Sequence, residues 1–483
     1  MGSHLLQPSP ASRALRALIV LAALAIPAGA LAAPATERSR SPDTALGRIA
    51  QLRGPSGCLV DRSKPRGRCT PVRALRGPGP FLGSNAVAIS PDGKNVYVAS
   101  SNSDAIAVFK RDRNSGELTQ RSGAAGCIAA NGDQGCAPAL GLDGPNSVAV
   151  SADGDNVYAT SVNSNAVAIL RRNRSTGALT QARAGSGCIA DAATPTPGCA
   201  TGRALDGADV VTVSPDGDNV YVGAFKGNAV AVFARDRSTG ALTQPADTTG
   251  CIVNTATPGC STGLALVAPE GMAISGDGNN VYVAAAGSSA LDVLTRDSST
   301  GALTQATDGS GCIVDSAQTG CTTGRWLQGA NAVAVSPDDG EVYVTSLMSN
   351  SVTTFTRAPT TGQLTQQSGT AGCVIYLVAV GCSLGQAMSA PEGLAVSPDG
   401  TSVYAAAFDS GAIDVLDRDV DSGALTQKPN RAGCVAVKST PNCTPGRALR
   451  GVSSLAVSPD GKYAYSAAFA SSAIGVFKRV SGR

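Results

Sequence analysis

Residues 90–120 read SPDGKNVYVASSNSDAIAVFKRDRNSGELTQ. Together with NAVAIS (85–90) just before, the stretch holds four short β signals: NAVAIS, NVYVAS (95–100), AIAVFKR (105–111) and GELTQ (116–120). Val, Ile, Tyr and Phe alternate with small residues, and Asp-Gly or Ser-Gly turns separate the runs. The opening turn returns as SADG at 151, SPDG at 214, SGDG at 275, SPDDG at 336, and SPDG at 397 and 458, in steps of 61, 63, 61, 61, 61 and 61 residues. A fixed period of this length signals a propeller or a solenoid. Seven of the nine Tyr fall in one column: Tyr97, Tyr158, Tyr221, Tyr282, Tyr343, Tyr404 and Tyr465. Residues repeated so faithfully belong to the core. Four strands in each of seven units make an all-β, seven-bladed β-propeller with four antiparallel strands per blade.

The last unit supplies three strands and stops at Arg483. The stretch GRIAQ (47–51) is a fourth strand with no unit in front of it. In GRIAQLRGPSGC (47–58) it matches GALTQARAGSGC (177–188), the tail of a complete unit. The N-terminal strand is therefore expected to close the last blade, leaving no open ring edge. The blades fall at about 83–120, 144–181, 207–244, 268–305, 329–366, 390–427 and 451–480, within a propeller spanning 45–480. Residues 33–44 read as a linker and 481–483 as a tail.

Residues 1–32 read as a signal peptide. Arg13 and Arg16 begin it, Ala17 to Ile26 form an apolar run too short to cross a bilayer, and Ala30 to Ala32 offer a small-residue cleavage site. The expected location is secreted or extracytoplasmic, in the cell envelope, with no transmembrane segment in the mature chain. Removing 1–32 leaves 36 basic and 35 acidic residues. That balance argues against nucleic acid as a partner.

The 14 Cys form seven local pairs: Cys58 with Cys69, Cys127 with Cys136, Cys188 with Cys199, Cys251 with Cys260, Cys312 with Cys321, Cys373 with Cys382, and Cys434 with Cys443. Five pairs enclose eight residues and two enclose ten, wider than metal ligands usually stand, and the single His, His4, lies in the leader. Seven local disulfides are the better reading for an exported chain. Each contributes about 2–3 kcal/mol by the chain-entropy argument. Aromatic residues are 4% of the chain, so the disulfides offset a modest apolar burial.

The stretch 90–120 resembles the YVTN-repeat, lactonase-like seven-bladed propellers, and the resemblance covers nearly all of 45–480. It implies the fold strongly. It implies activity weakly, because the shared residues are turn and core positions. Family enzymes such as 6-phosphogluconolactonase and the muconate cycloisomerising enzymes use His, Arg and acidic residues on the propeller face. With no His beyond the leader, that chemistry does not carry over intact. The Cys pairs mark an exported, disulfide-bearing branch.

No nucleophile elbow, P-loop or paired-His motif is present, and a Ser triad lacks its usual base. DVDSG (419–423) has calcium-like spacing but sits where other units have RDRSTG, a solvated turn. The innermost strand of each blade begins with a polar residue: Asn85, Asn146, Asp209, Glu270, Asn331, Glu392 and Ser453. These starts should converge on the mouth of the central channel. Their oxygens suit Ca²⁺, against a plain hydrated channel, and no other cofactor is implied. APEG at 268–271 and 390–393 is similar to the glutamates of metal-dependent, six-bladed gluconolactonase-type propellers.

Departures from the repeat give a second candidate. CVIYLVAVGC (373–382) is apolar where most other Cys loops are polar. GRWLQG carries the single Trp, and Met348 sits in the strand 2–3 loop of the same blade. Trp326, Met348, Ile375, Tyr376 and Leu377 are thus expected to form a patch for a protein or cell-envelope partner on one face. The expected function is a non-catalytic binding or scaffold module, monomeric. The alternative is a divalent-metal-dependent lactone hydrolase at the channel mouth.

Overall fold

The computed structural model describes residues 46–64, 67–78, 85–182, 185–376, 381–437 and 440–480. The expected leader, linker and tail, and Leu377, lie outside them. Seven sheets are arranged as repeated blades, and their only helical turns among the described residues are short 3-10 turns. The second blade shows the pattern. Pro145–Val150, Asn156–Ser161 and Ala166–Arg172 pair antiparallel from the inside outwards. The second strand is buried along its whole length, as a strand covered by a blade on each side must be.

The outer position is more elaborate than one strand. Leu179–Gln181 pairs with the C-terminal half of the third strand, and Gly185–Asp191 with its N-terminal half. Cys199–Gly202 then adds a parallel edge strand. Each Cys loop is thus a strand–turn–strand unit. Its disulfide clamps the outer strand to the edge strand, with Cα atoms 4.8–4.9 Å apart in all seven expected pairs. The sequence pattern shows LTQ and misses this addition, because the Cys strands are too short for period 2 to stand out.

The N-terminus closes the ring and brings more than the one strand expected. Ile49–Gln51 pairs with Ala473–Arg479, Ile49 opposite Arg479, and Gly47 N donates to Val480 O at 2.7 Å. Cys58–Asp61 and Thr70–Val72 follow as the outer and edge strands of the same blade. The whole outer layer of the last blade is N-terminal.

Neighbouring blades bury small apolar faces against each other. Tyr97, Ile106 and Ile128 of the first blade meet Val157, Ala159 and Leu170 of the second. A polar latch repeats beneath each interface. Arg172, at the end of a third strand, reaches back to the preceding blade; its Nε donates to Tyr97 Oη at 2.8 Å and its Nη2 pairs with Asp92 at 2.9 Å. Tyr97 Oη in turn donates to Gly177 O at 3.0 Å. All seven interfaces carry the Arg–Asp pair, at 2.6–2.9 Å, with Arg side chains 0–2% exposed. Burial opposes ionisation of Asp92, but hydrogen bonds from Ser90 and Arg172 outweigh it and hold the carboxyl below its usual range. Gly177 is required there: its φ is +78°, and a Cβ would stand 2.1 Å from Asn95 Nδ2. Gly47 fills the same place at the closure, accepting from Tyr404 Oη.

Candidate functional site

The antiparallel order gives the ring two rims. The SPDG turns, the third-to-outer hairpins and the latches lie at one. The starts of the innermost strands and the turns between second and third strands lie at the other, which is the mouth rim. Asp419 of DVDSG accepts from Asp421 N and Ser422 N, capping its own hairpin in keeping with a solvated turn.

At the mouth, a register shift stands at each of six polar residues. Asn146, Asp209, Glu270, Asn331, Glu392 and Ser453 are each skipped by the pairing of the first strand with the second. Such a bulge re-aims a side chain away from the sheet. Asn85 precedes the first strand of its blade, Val87–Ile89, and is exposed. Asn146 is half-buried, while Asp209, Glu270, Asn331, Glu392 and Ser453 are 0–2% exposed. Asn146 Nδ2 donates to Asp209 Oδ1, and Thr345 Oγ1 donates to Asn331 Oδ1 at 2.9 Å. Asp209 Oδ2, Glu270 Oε2, Asn331 Nδ2, Glu392 Oε2 and Ser453 Oγ are buried with no hydrogen-bond partner among the described residues. Five such atoms in one ring need a ligand, a proton or water.

Burial dominates the electrostatics. Asp209 is pushed up to about 7 by burial, with Asn146 opposing. Glu270 is pushed up to about 9 by burial and then by Asp209. Glu392 reaches about 9 through burial, Glu270 and Asp409. At neutral pH both glutamates are therefore neutral acids that can donate a hydrogen bond. The two PEG segments share further features. Gly271 and Gly393 let the next blade pass closely, since a Cβ would lie 2.5 Å from Asn331 O and from Ser453 O. Ala268 and Ala390 hold φ of 54° and 53°, where other blades use Gly144, Gly207, Gly329 and Gly451. Strained alanines stand just ahead of the two glutamates.

A calcium ion takes six to eight oxygens. The carboxyl and hydroxyl oxygens of the ring have the right chemistry. Asn331, however, offers an amide NH₂, and among the described residues no three acidic, His or Cys side chains gather closely enough to hold an ion. The atoms left without a partner among the described residues, four oxygens and one NH₂, make up a hydrogen-bonding collar.

The second candidate is partly assembled. Trp326 is half-buried with φ 61°, where other blades have Ala74, Ala204, Ala265, Ala387 and Ala448 in the same conformation. Its carbonyl accepts from Ser351 Oγ at 2.8 Å. Met348 is 64% exposed, and its N–H donates to Gln328 O, two residues beyond Trp326. Tyr376 is half-buried and lines a cavity of about 610 Å³ with Phe408, Asp409 and Arg450. Ile375 is not part of a surface: it is 4% exposed, paired with Ser351 and covered by the edge strand Ser383–Gly385. The apolar loop misled because its first residues are strand, like Ala129 and Val314 in other blades.

Sequence reasoning missed two buried acids. Asp292 and Asp414 are fully buried, each accepting from one Gln, Gln305 at 3.0 Å and Gln427 at 2.8 Å. Burial pushes both well up. A lone Asp inside the apolar runs ALDVL and AIDVL is the signal that could have found them.

A family model described as "Lactonase, 7-bladed beta-propeller" matches residues 82–200 and 272–443. No curated protein matches. Among solved structures, the periplasmic gluconolactonase of Pseudomonas aeruginosa is similar at 19% identity and TM-score 0.48, over 83% of this chain and 96% of that one. Hydrazine synthase of Kuenenia stuttgartiensis is similar at 17% identity and TM-score 0.47, over 84% and 98%. The β-propeller domain of Cps50 (Swd1) from Myceliophteria thermophila is similar at 9% identity and TM-score 0.49, over 83% and 98%. These are likenesses of fold. The seven disulfides fit an oxidising, extracytoplasmic setting, and among the described residues no helix is long and apolar enough to cross a membrane.

Proposed function

The chain belongs to the family of lactonase seven-bladed β-propellers, and from that premise we propose that it is an exported, non-catalytic binding module working through its mouth rim. One observation carries this reading. Trp326, Met348 and Tyr376, all departures from the repeat, lie on neighbouring segments, and Tyr376 lines a cavity of about 610 Å³. That volume suits a small ligand or a projecting partner side chain. The mouth ring supports the same reading. Glu270, Glu392 and Asn331 offer hydrogen-bond donors to a neutral, oxygen-rich group, and among the described residues there is no His to act as a base.

The second reading is a lactone hydrolase at the ring. The unpartnered carboxyl oxygens of Asp209, Glu270 and Glu392 favour it. A divalent metal would polarise a lactone carbonyl there, yet Asn331 and the spacing of the acids weigh against that ion.

Titrating the purified mature chain with envelope extract tests the two. Trp326 emission should shift to the blue, and the shift should be lost in Tyr376→Ala and Met348→Ala. A silent Trp326, with steady turnover of a simple lactone that Glu270→Gln with Glu392→Gln abolishes, would replace the first reading by the second.

A further inference from the structure

The Cys loops differ most in charge. Five of the seven contain no Lys or Arg, and 434–443 contains one, Lys438. CLVDRSKPRGRC (58–69) contains four, Arg62, Lys64, Arg66 and Arg68, against a single acid, Asp61. Asp61 is 1% exposed and already engaged: Oδ1 accepts from Ser63 N and Oγ, and Oδ2 from Leu75 N. Its charge is turned inward.

The loop's described residues Val60, Ser63, Lys64 and Gly67 to Cys69 form one wall of a cavity of about 670 Å³ at the seam where the N-terminal segment meets the last two blades. Lys64 and Arg68 line it from the loop, and Arg447 and Arg450 from the linker into the last blade; among the described residues no acidic side chain lines it. Val437 and Ala470 supply apolar wall. Arg447 is held in place by the closing segment, with Nη2 on Gly54 O at 2.8 Å and Leu52 O at 3.2 Å. Lys64, Arg68 and Arg450 are exposed, and none takes part in an ion pair among the described residues. At the place of Arg450 the first blade also has an arginine, Arg76, while the others have Asp143, Asp206, Val267, Gln328 and Ser389.

Four cations from two segments around one concavity form a site for concentrated negative charge; Asp409 meets Arg450 only in the adjoining cavity, which shares the Val437 and Ala470 wall. Guanidinium groups match phosphate and carboxylate oxygens in pairs, and the Val and Ala walls accept a carbon skeleton. We propose that the seam cavity binds a small polyanion, a phosphate-bearing or polycarboxylate compound of up to about disaccharide size. Because the site joins the N-terminal loop to the linker of the last blade, it exists only in the closed ring. Occupancy therefore stabilises closure by mass action.

Calorimetric titration of the mature chain with inorganic pyrophosphate and with citrate at physiological salt tests this, with the melting temperature as a second readout. The expected result is saturable 1:1 binding of at least one probe and a rise in melting temperature. Arg68→Gln with Arg450→Gln should weaken binding at least tenfold; both side chains are exposed, so folding should survive. Lys462→Gln with Lys478→Gln, which removes two exposed cations elsewhere, should change nothing. Pyrophosphate alone would assign a phosphate ligand, and citrate alone a carboxylate one. No saturable binding of either probe, or equal weakening by the two pairs of substitutions, would overturn the proposal.

Discussion

At the turn rim of the ring, every blade interface carries the same Arg, Asp and Tyr, with contact distances that vary by a few tenths of an ångström. At the mouth rim, the equivalent residue changes from Asn to Asp to Glu to Ser, and five of its polar atoms lack a partner among the described residues. The same strands run between the two rims, so the difference does not come from the backbone. Polar groups that hold blades together are matched and repeated. Those at the mouth are buried without a partner among the described residues, which costs free energy unless a proton, water or ligand satisfies them.

The largest effect should follow from unfastening the ring. A chain lacking residues up to Leu52 loses the Ile49–Gln51 pairing and the Gly47 carbonyl that accepts a hydrogen bond from Tyr404 Oη. Thermal unfolding should lose its single cooperative transition or shift down by well over 10 °C. An unchanged transition in a monomeric product would show that the latches alone hold the last blade.

One latch is the next test. Arg172→Met leaves Tyr97 and Asp92 without their donor inside an interface. Breaking a buried pair costs about 3–5 kcal/mol, and a carboxylate nearly a third exposed lowers this to about 2–3 kcal/mol. Denaturant unfolding should find a similar cost for Arg235→Met and Arg296→Met. Unequal costs would mean that the turn rim is less uniform in energy than in geometry.

Much of this was legible in the sequence. The 61-residue step, the Tyr column and the orphan 47–51 gave blade number and closure, because all three are set by repetition. The Arg column repeats as faithfully, at 111, 172, 235, 296, 357, 418 and 479. Its role was hidden because each Arg serves the neighbouring blade, as Arg172 meets Tyr97 75 residues away. Ile375 was misplaced for a related reason: its burial depends on an edge strand too short to read. The mouth residues were legible as a column. Their lack of partners was not, since it depends on bulges and on what stands across the channel.

The two rims should also titrate in opposite directions. Asp92 and its six counterparts sit below their ordinary value of 3.8, so the stability they give is present above that pH and is lost as pH falls through the lowered values. Asp209, Glu270 and Glu392 are raised to about 7, 9 and 9, so the folded state keeps protons that the unfolded chain releases. Their contribution declines as pH rises from about 4.5 to 9. Melting temperature against pH should peak near pH 4–5. Glu270→Gln with Glu392→Gln should flatten the alkaline limb and leave the acid limb unchanged. A double variant that keeps the alkaline limb would place that titration elsewhere, Asp292 and Asp414 being the next groups to replace.

The smallest effect on stability should come from Trp326→Ala. The left-handed backbone at 326 already accepts alanine in five other blades, with φ from 54° to 59°. The indole is half-buried, so its loss should cost about 1 kcal/mol or less and leave the melting temperature within a few degrees. Its emission in the free chain should lie between those of buried and fully hydrated indole. If the mouth rim is the working surface, the same substitution should weaken a partner by about 2 kcal/mol or more, roughly thirtyfold, because truncated interface anchors commonly cost that much. A large loss of stability with unchanged binding would reverse the assignment: Trp326 would then be a wedge between blades, and this departure from the repeat would belong with the latches rather than with the mouth.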